Sequence, residues 1–157
     1  MSVKPVQQWL DEYGESHQNR TNKVIHWVCV PVIAISLIGL LWALPVPAAF
    51  INISPVLNWG VLFMMAAVVY YFILSPSLAL GMIGVMALFT AVLFWLDGLP
   101  APLWAICVSI FVLAWVGQFI GHMIEGKRPS FFQDLQFLMI GPMWLLSFVY
   151  QRLGLRY

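Results

Sequence analysis

Apolar positions along the chain change their spacing several times. Over residues 5–15, Val6, Trp9, Leu10 and Tyr13 recur at i, i+3, i+4 and i+7, while Gln8, Asp11, Glu12 and Glu15 fall elsewhere. That period predicts a short amphipathic helix, and Pro5 suits its first turn. With Trp and Tyr on its apolar side, such a helix lies in the headgroup region of a membrane, packs against the rest of the protein, or does both. Residues 14–23 (GESHQNRTNK) form a polar break. Apolar runs then cover about 25–44, 56–74, 78–96 and 103–121. Each is near the ~20 residues that cross ~30 Å of hydrocarbon. Pro31 inside the first run is expected to free the carbonyl of Trp27 and kink the helix one turn past His26.

The stretches between these runs read as turns: an uncharged loop over 45–55 (PVPAAFINISP), then Ser75-Pro76-Ser77, then Asp97-Gly98-Leu99-Pro100. Beyond Pro129, Ser130 and Gln133 have the spacing of a capping box and open a helix to about Ile140. Gly141-Pro142 is expected to interrupt it before the apolar stretch 143–150. Neither half reaches the length of a span, so this region reads as a broken or interfacial hairpin rather than a fifth crossing. The expected fold is an all-α polytopic membrane bundle. It has about four transmembrane helices, an N-terminal interfacial helix and the C-terminal hairpin, in a single integral membrane domain over 1–157.

Composition agrees with this reading. Hydrophobic residues make up 62% of the 157 and charged residues 8%, against about 25% charged in soluble domains. Mean hydropathy is +0.92. Seven basic and six acidic side chains cannot cover a water-exposed surface of this size, which excludes a soluble enzyme and a disordered chain. A net charge of +1 with no basic stripe argues against nucleic acid as a partner. Between Lys23 and Glu125 the one charged residue is Asp97, which reads as turn chemistry. Cys29 and Cys107 sit in apolar runs and read as buried thiols. No apolar leader precedes the first span, which is expected to act as its own insertion signal.

Four spans put both ends of the chain on one face. Lys4, Arg20, Lys23, Lys127 and Arg128 all fall there, and the opposite loops carry no Lys or Arg. The positive-inside rule makes that face cytoplasmic. The short loops suit a bacterial inner membrane; in a eukaryote the endoplasmic reticulum membrane reads alike.

All three histidines fall on the same face. His26 opens the first span, His122 closes the fourth, and His17 lies in the polar break. On one continuous helix His17 and His26 would be about half a turn out of phase, and a turn within 18–21 brings them together. Gln118, His122 and Glu125 share a helix face at spacings of four and three. Gly117 and Gly121 make a small-xxx-small pair that permits close approach to the first span. Asn22, four residues before His26, is placed to orient its imidazole. The candidate metal ligands are therefore His17, His26 and His122, with Glu125 either a fourth or an ion-pair partner of Lys127 or Arg128. Several imidazoles with a carboxylate or water suit Fe(II) or Zn(II), and so either oxygen activation or water activation. A site at headgroup depth suits an amphiphile whose tail lies among the spans. Lys127 and Arg128 are candidates for attracting its carboxylate.

The blocks Tyr13…His17…Asn22…His26…Pro31 and QFIGH (118–122) with Glu125-Gly126 and Arg128-Pro129 resemble the 2-hydroxy fatty acid dioxygenase family. These are small membrane proteins of fatty acid alpha-oxidation. The resemblance implies an Fe(II) enzyme that uses O2 to shorten a 2-hydroxy fatty acid by one carbon. His17, His26 and His122 would be the iron ligands and catalytic residues, and no 2-oxoglutarate or flavin would be needed. A 2-hydroxy acid offers a carboxylate and a hydroxyl that chelate through a five-membered ring. Many members carry an acidic residue some six positions after the Gly-Pro; here Ser147 and Phe148 stand in that region. Two other classes compete. A zinc-dependent lipid hydrolase would need no O2, and no HExxH pattern supports it. A non-catalytic transporter or scaffold would tolerate histidine substitution, and the uncharged spans argue against an ion pathway.

Overall fold

The computed structural model describes residues 4–126 and 137–157. Seven helices account for most of them, and no strand occurs among the described residues. Helix α1, Val6–Glu15, follows Pro5, and its apolar side is turned inward: Leu10 and Tyr13 are buried against the last helix. At its solvent end Lys4 pairs with Glu12 and sits 3.9 Å over the Trp9 ring.

Helix α2, Arg20–Trp42, begins inside the stretch read as a polar break. The reason is local. Asn19 stays extended (φ −67°, ψ 131°) and its side chain accepts from the N–H groups of Thr21 at 2.8 Å and Asn22 at 3.4 Å. This N-cap lets the polar RTNK sequence serve as the first helical turn. Pro31 lies inside α2, which runs on through it as one element.

The uncharged stretch 45–55, expected as a loop, holds a six-residue helix, α3 (Ala48–Ile53). Pro47 leads into it, and it folds back on the next element: Phe50 and Trp59 rings lie 4.8 Å apart, and Trp59 Nε1 donates to the Pro45 carbonyl. Helix α4, Trp59–Leu74, is capped by Asn58, whose side chain accepts from Val61 N–H at 3.0 Å. Ser75 then caps α5, Pro76–Asp97, with Pro76 in the first position. Because the residue before a proline avoids the α region, α4 has to end there. Helix α6, Leu103–Glu125, continues one turn past its expected end until Gly126 takes a left-handed conformation (φ +75°).

Helices α2, α5 and α6 are long and apolar enough to cross a membrane. Apolar α4 is shorter, 16 residues, or about 24 Å. Helix α7, Ile140–Arg152, shows why Gly141-Pro142 does not interrupt a helix here. Both residues sit in its first turn, where a missing N–H costs no helical hydrogen bond. At 13 residues α7 is too short to span, in line with the hairpin expectation. Its Ile140, Met143 and Trp144 are buried. Tyr150 donates to Ser77 O at 2.8 Å and Tyr71 to Met139 O at 2.7 Å, tying α7 to α5 and α4. The expected Ser130–Gln133 capping box, Lys127 and Arg128 lie outside the described residues.

The most extensive contact joins α2 and α6, which run antiparallel. Small residues on each helix receive side chains of the other. A Cβ on Gly117 would stand 2.6 Å from Cys29 Sγ; one on Gly39 would strike Cys107 Sγ; one on Gly121 would strike Asn22 Oδ1. The Gly117/Gly121 pair thus does what its spacing predicts: it brings the start of α2 against the end of α6. Outward-facing Val24, Val28, Val69, Leu80, Leu88 and Leu113 remain exposed, as suits a lipid-facing surface.

Candidate metal site

The close approach of α2 and α6 brings His26 beside His122, and the α1–α2 turn folds His17 over both. The turn forms because α1 ends at Glu15, His17 N–H bonds back to Gly14 O at 3.0 Å, and extended Asn19 restarts the chain as α2. All three imidazoles are buried, at 3%, 1% and 6% exposure for His17, His26 and His122. Ring centroids lie 4.1 Å apart for His17–His26, 5.1 Å for His26–His122 and 5.7 Å for His17–His122. One ring nitrogen from each lies within 4.8 Å of the others.

Two rings are held the same way. His17 Nδ1–H donates to Tyr13 O at 2.6 Å and His26 Nδ1–H to Asn22 O at 3.0 Å, each a carbonyl four residues earlier. Because a carbonyl oxygen only accepts, Nδ1 carries the proton and Nε2 the lone pair. This is the tautomer of a metal-ligating histidine oriented by a backbone acceptor. Tyr13 stacks on His17 at 4.3 Å and 10°, and Trp144 lies 5.2 Å from it. These aromatic rings wall the site on the α1 and α7 sides. The donor set therefore fits a borderline transition metal. Imidazoles on one metal at ~2.1 Å bring their nitrogens within about 4 Å of one another, so binding requires a further inward movement of about 1 Å.

Of the other residues singled out by sequence, Glu125 lies outside this cluster of ligand atoms. Its Oε1 accepts from Gln18 N–H at 2.8 Å, and its Oε2 from Asn19 N–H at 2.8 Å and Asn22 Nδ2 at 3.0 Å. Asn22 does meet His26, but through its main-chain carbonyl rather than its amide. Gln118 is buried one turn before His122. Cys29 packs against Gly117, away from the cluster, and Asp97 is exposed at the far end of α5. The sequence does not single out Trp144 for the site, because nothing near it in the chain points to His17, more than a hundred residues away. The periodicity shows Tyr13 only as part of an apolar face, although its spacing of four from His17 carries the hydrogen bond.

A cleft of about 270 Å³ runs between α1, the start of α2 and α7, with His17, Lys23, Trp144 and Ser147 among its lining. Asp11 and Glu15 also line it. Ser147 is buried, and its hydroxyl donates to Trp144 O at 2.7 Å within α7.

An all-helical bundle with membrane-length apolar helices and three buried imidazoles gathered at one end defines a class: a small polytopic membrane protein with a candidate metal site. Over residues 3–153 the chain matches the family described as 2-hydroxy-palmitic acid dioxygenase Mpo1-like, and it belongs to that family. No curated protein and no solved structure matches it.

Proposed function

We propose that this protein is an Fe(II)-dependent dioxygenase that shortens 2-hydroxy fatty acids by one carbon at the cytoplasmic face of a membrane. The observation that carries the reading is the triad: three buried imidazoles from separate parts of the chain, their ligand atoms within 4.8 Å. The family description supplies the substrate class. Balanced, one 2-hydroxy acid and one O2 give the acid one carbon shorter, carbon dioxide and water. The C1–C2 bond breaks, and four electrons pass from substrate to oxygen.

His17, His26 and His122 would hold the iron. When bound, Fe(II) supplies open positions for a chelating substrate and redox chemistry for dioxygen. The chain's own residues do the rest. Tyr13 and Asn22 carbonyls fix the tautomers of His17 and His26, so that each ring keeps its Nε2 lone pair for a metal. Tyr13 and Trp144 lie against the His17 ring and fix its orientation. The cleft reaches His17 from the end of the bundle where α2 starts and α6 finishes, a route for the polar head of an amphiphile. Lys23 in that cleft is a cation for its carboxylate, and Lys127 and Arg128 follow α6 in sequence. The cytoplasmic assignment is supported by charge: the segments joining helices at the other end, 43–58 and 98–102, contain no Lys or Arg.

The test uses detergent-purified protein loaded anaerobically with Fe(II), given 2-hydroxypalmitate and then air. Mass spectrometry looks for the acid one carbon shorter. Product from wild type and none from His122→Ala is the expected result. Iron bound without product sends the search to other lipids; neither iron nor product refutes the enzyme reading.

A further inference from the structure

One side chain joins the C-terminal end of α6 to the N-terminal end of α2. Glu125 accepts three hydrogen bonds there, two from consecutive backbone N–H groups (Gln18 and Asn19) and one from the Asn22 amide. A carboxylate facing N–H groups at a helix start makes charge-assisted bonds, reinforced by the helix dipole. Two of these attachments and the carboxylate's own helix each lead to a different histidine. Gln18 directly follows His17. Asn22 offers its own carbonyl to His26 Nδ1–H, and its amide also reaches back to Ser16 O at 3.3 Å. His122 lies one turn before Glu125 on α6. The three elements that carry the triad therefore converge on a single carboxylate, which itself lies outside the ligand cluster.

We infer that Glu125 is the positioning residue of the triad: a clamp that sets the spacing of the three imidazoles and does not ligate the metal. The inference rests on the metal reading of the triad, and the experiment separates the two. Full-length wild type, Glu125→Gln, Asn22→Ala and His122→Ala are purified in detergent without metal. Two quantities are read: the melting temperature of the apo protein, and Co(II) affinity with the visible spectrum at saturation.

A clamp makes Glu125→Gln melt lower even without metal, because Gln18 and Asn19 N–H face different carboxylate oxygens and one of those becomes an NH2 donor in the amide. Co(II) binding weakens by about 10–100-fold, the usual effect of losing a group that orients ligands. The saturated spectrum keeps its band positions, since the donor atoms are unchanged. Asn22→Ala keeps the carbonyl of residue 22 and loses the amide's bonds to Glu125 and Ser16, so it shifts both quantities the same way. His122→Ala loses Co(II) binding whatever its apo melting temperature, because a ligand is gone. An unchanged or raised apo melting temperature in Glu125→Gln overturns the clamp, as do shifted band positions at saturation, which would mark a ligand. Co(II) affinity within twofold of wild type also overturns it. If wild type binds no metal, the metal reading fails, and the clamp stands or falls on apo melting alone. If Glu125→Gln does not fold, Asn22→Ala decides by the same readouts.

Discussion

Adding one methyl group at Gly121 should cost both stability and metal affinity, while the same change at Gly84 should cost neither. A Cβ on Gly121 would overlap Asn22 Oδ1 and stand 3.4 Å from Asn22 Cγ and 3.5 Å from His26 Cε1. The tip of a flexible side chain could move aside cheaply, but Asn22 is fully buried and its amide is bonded to Glu125 and Ser16. Relief therefore requires breaking those bonds or parting α2 from α6. Overpacking costs about 1–3 kcal/mol, and losing a hydrogen bond to a charged group about 1.5–3 kcal/mol. Replacing a helix-interior glycine returns about 1 kcal/mol. The net loss for Gly121→Ala is about 1.5–5 kcal/mol. A methyl group on Gly84 of α5 would meet nothing within 4 Å, so Gly84→Ala keeps the gain of about 1 kcal/mol. The assay is thermal unfolding in detergent beside a Co(II) titration. Gly121→Ala as stable as Gly84→Ala, with wild-type metal affinity, would refute the claim that close packing of α2 on α6 builds the site.

Three further outcomes are expected. Gly39→Ala would press on Cys107 Sγ and on Leu93 Cδ2 at 2.8 Å, both fully buried; it should lose about 1–3 kcal/mol in thermal unfolding and leave Co(II) affinity alone, because the clash lies more than three turns along α2 from His26. Removing metal with a chelator should lower the melting temperature of wild type but not of His26→Ala, by the equivalent of about 2.7 kcal/mol when metal had been at a hundred times its Kd. Ser147→Ala should change stability by no more than about 1 kcal/mol and metal affinity by less than twofold, because the hydroxyl is spent on a carbonyl of its own helix; a large loss of affinity would place that hydroxyl in the metal site.

Much of the fold was legible because membrane helices must be continuously apolar and satisfy their own backbone. Spans near 25–44, 78–96 and 103–121 reappear as α2, α5 and α6. What the pattern could not show was decided by capping. A stretch as polar as RTNK reads as a break until Asn19 is seen to cap it and Asn22 to be buried on α6. Gly141-Pro142 reads as a stop, although the same pair suits a helix start. The helix AAFINI is too short for periodicity to distinguish it from a loop, and its fold depends on Trp59 and Phe50 meeting across the turn.

The site divides along a similar line. Helix order places His26 and His122 at the same end of two antiparallel helices, and the glycine pair argues for their contact, so two of the triad follow from one-dimensional information. His17 follows once a turn is allowed between α1 and α2. The role of Glu125 does not follow, because its spacing of three from His122 fits a ligand and a clamp equally well. The distinction lies in where the amides of Gln18 and Asn19 point, which depends on the φ and ψ of the turn and not on the residue types around it. With Glu125 occupied by those amides, the protein offers a metal three imidazoles and no carboxylate among the described residues. On the proposed function, compensation of the metal's charge then falls to the substrate. A 2-hydroxy carboxylate brings one negative charge and a second oxygen to the same atom, whereas a fatty alcohol brings neither.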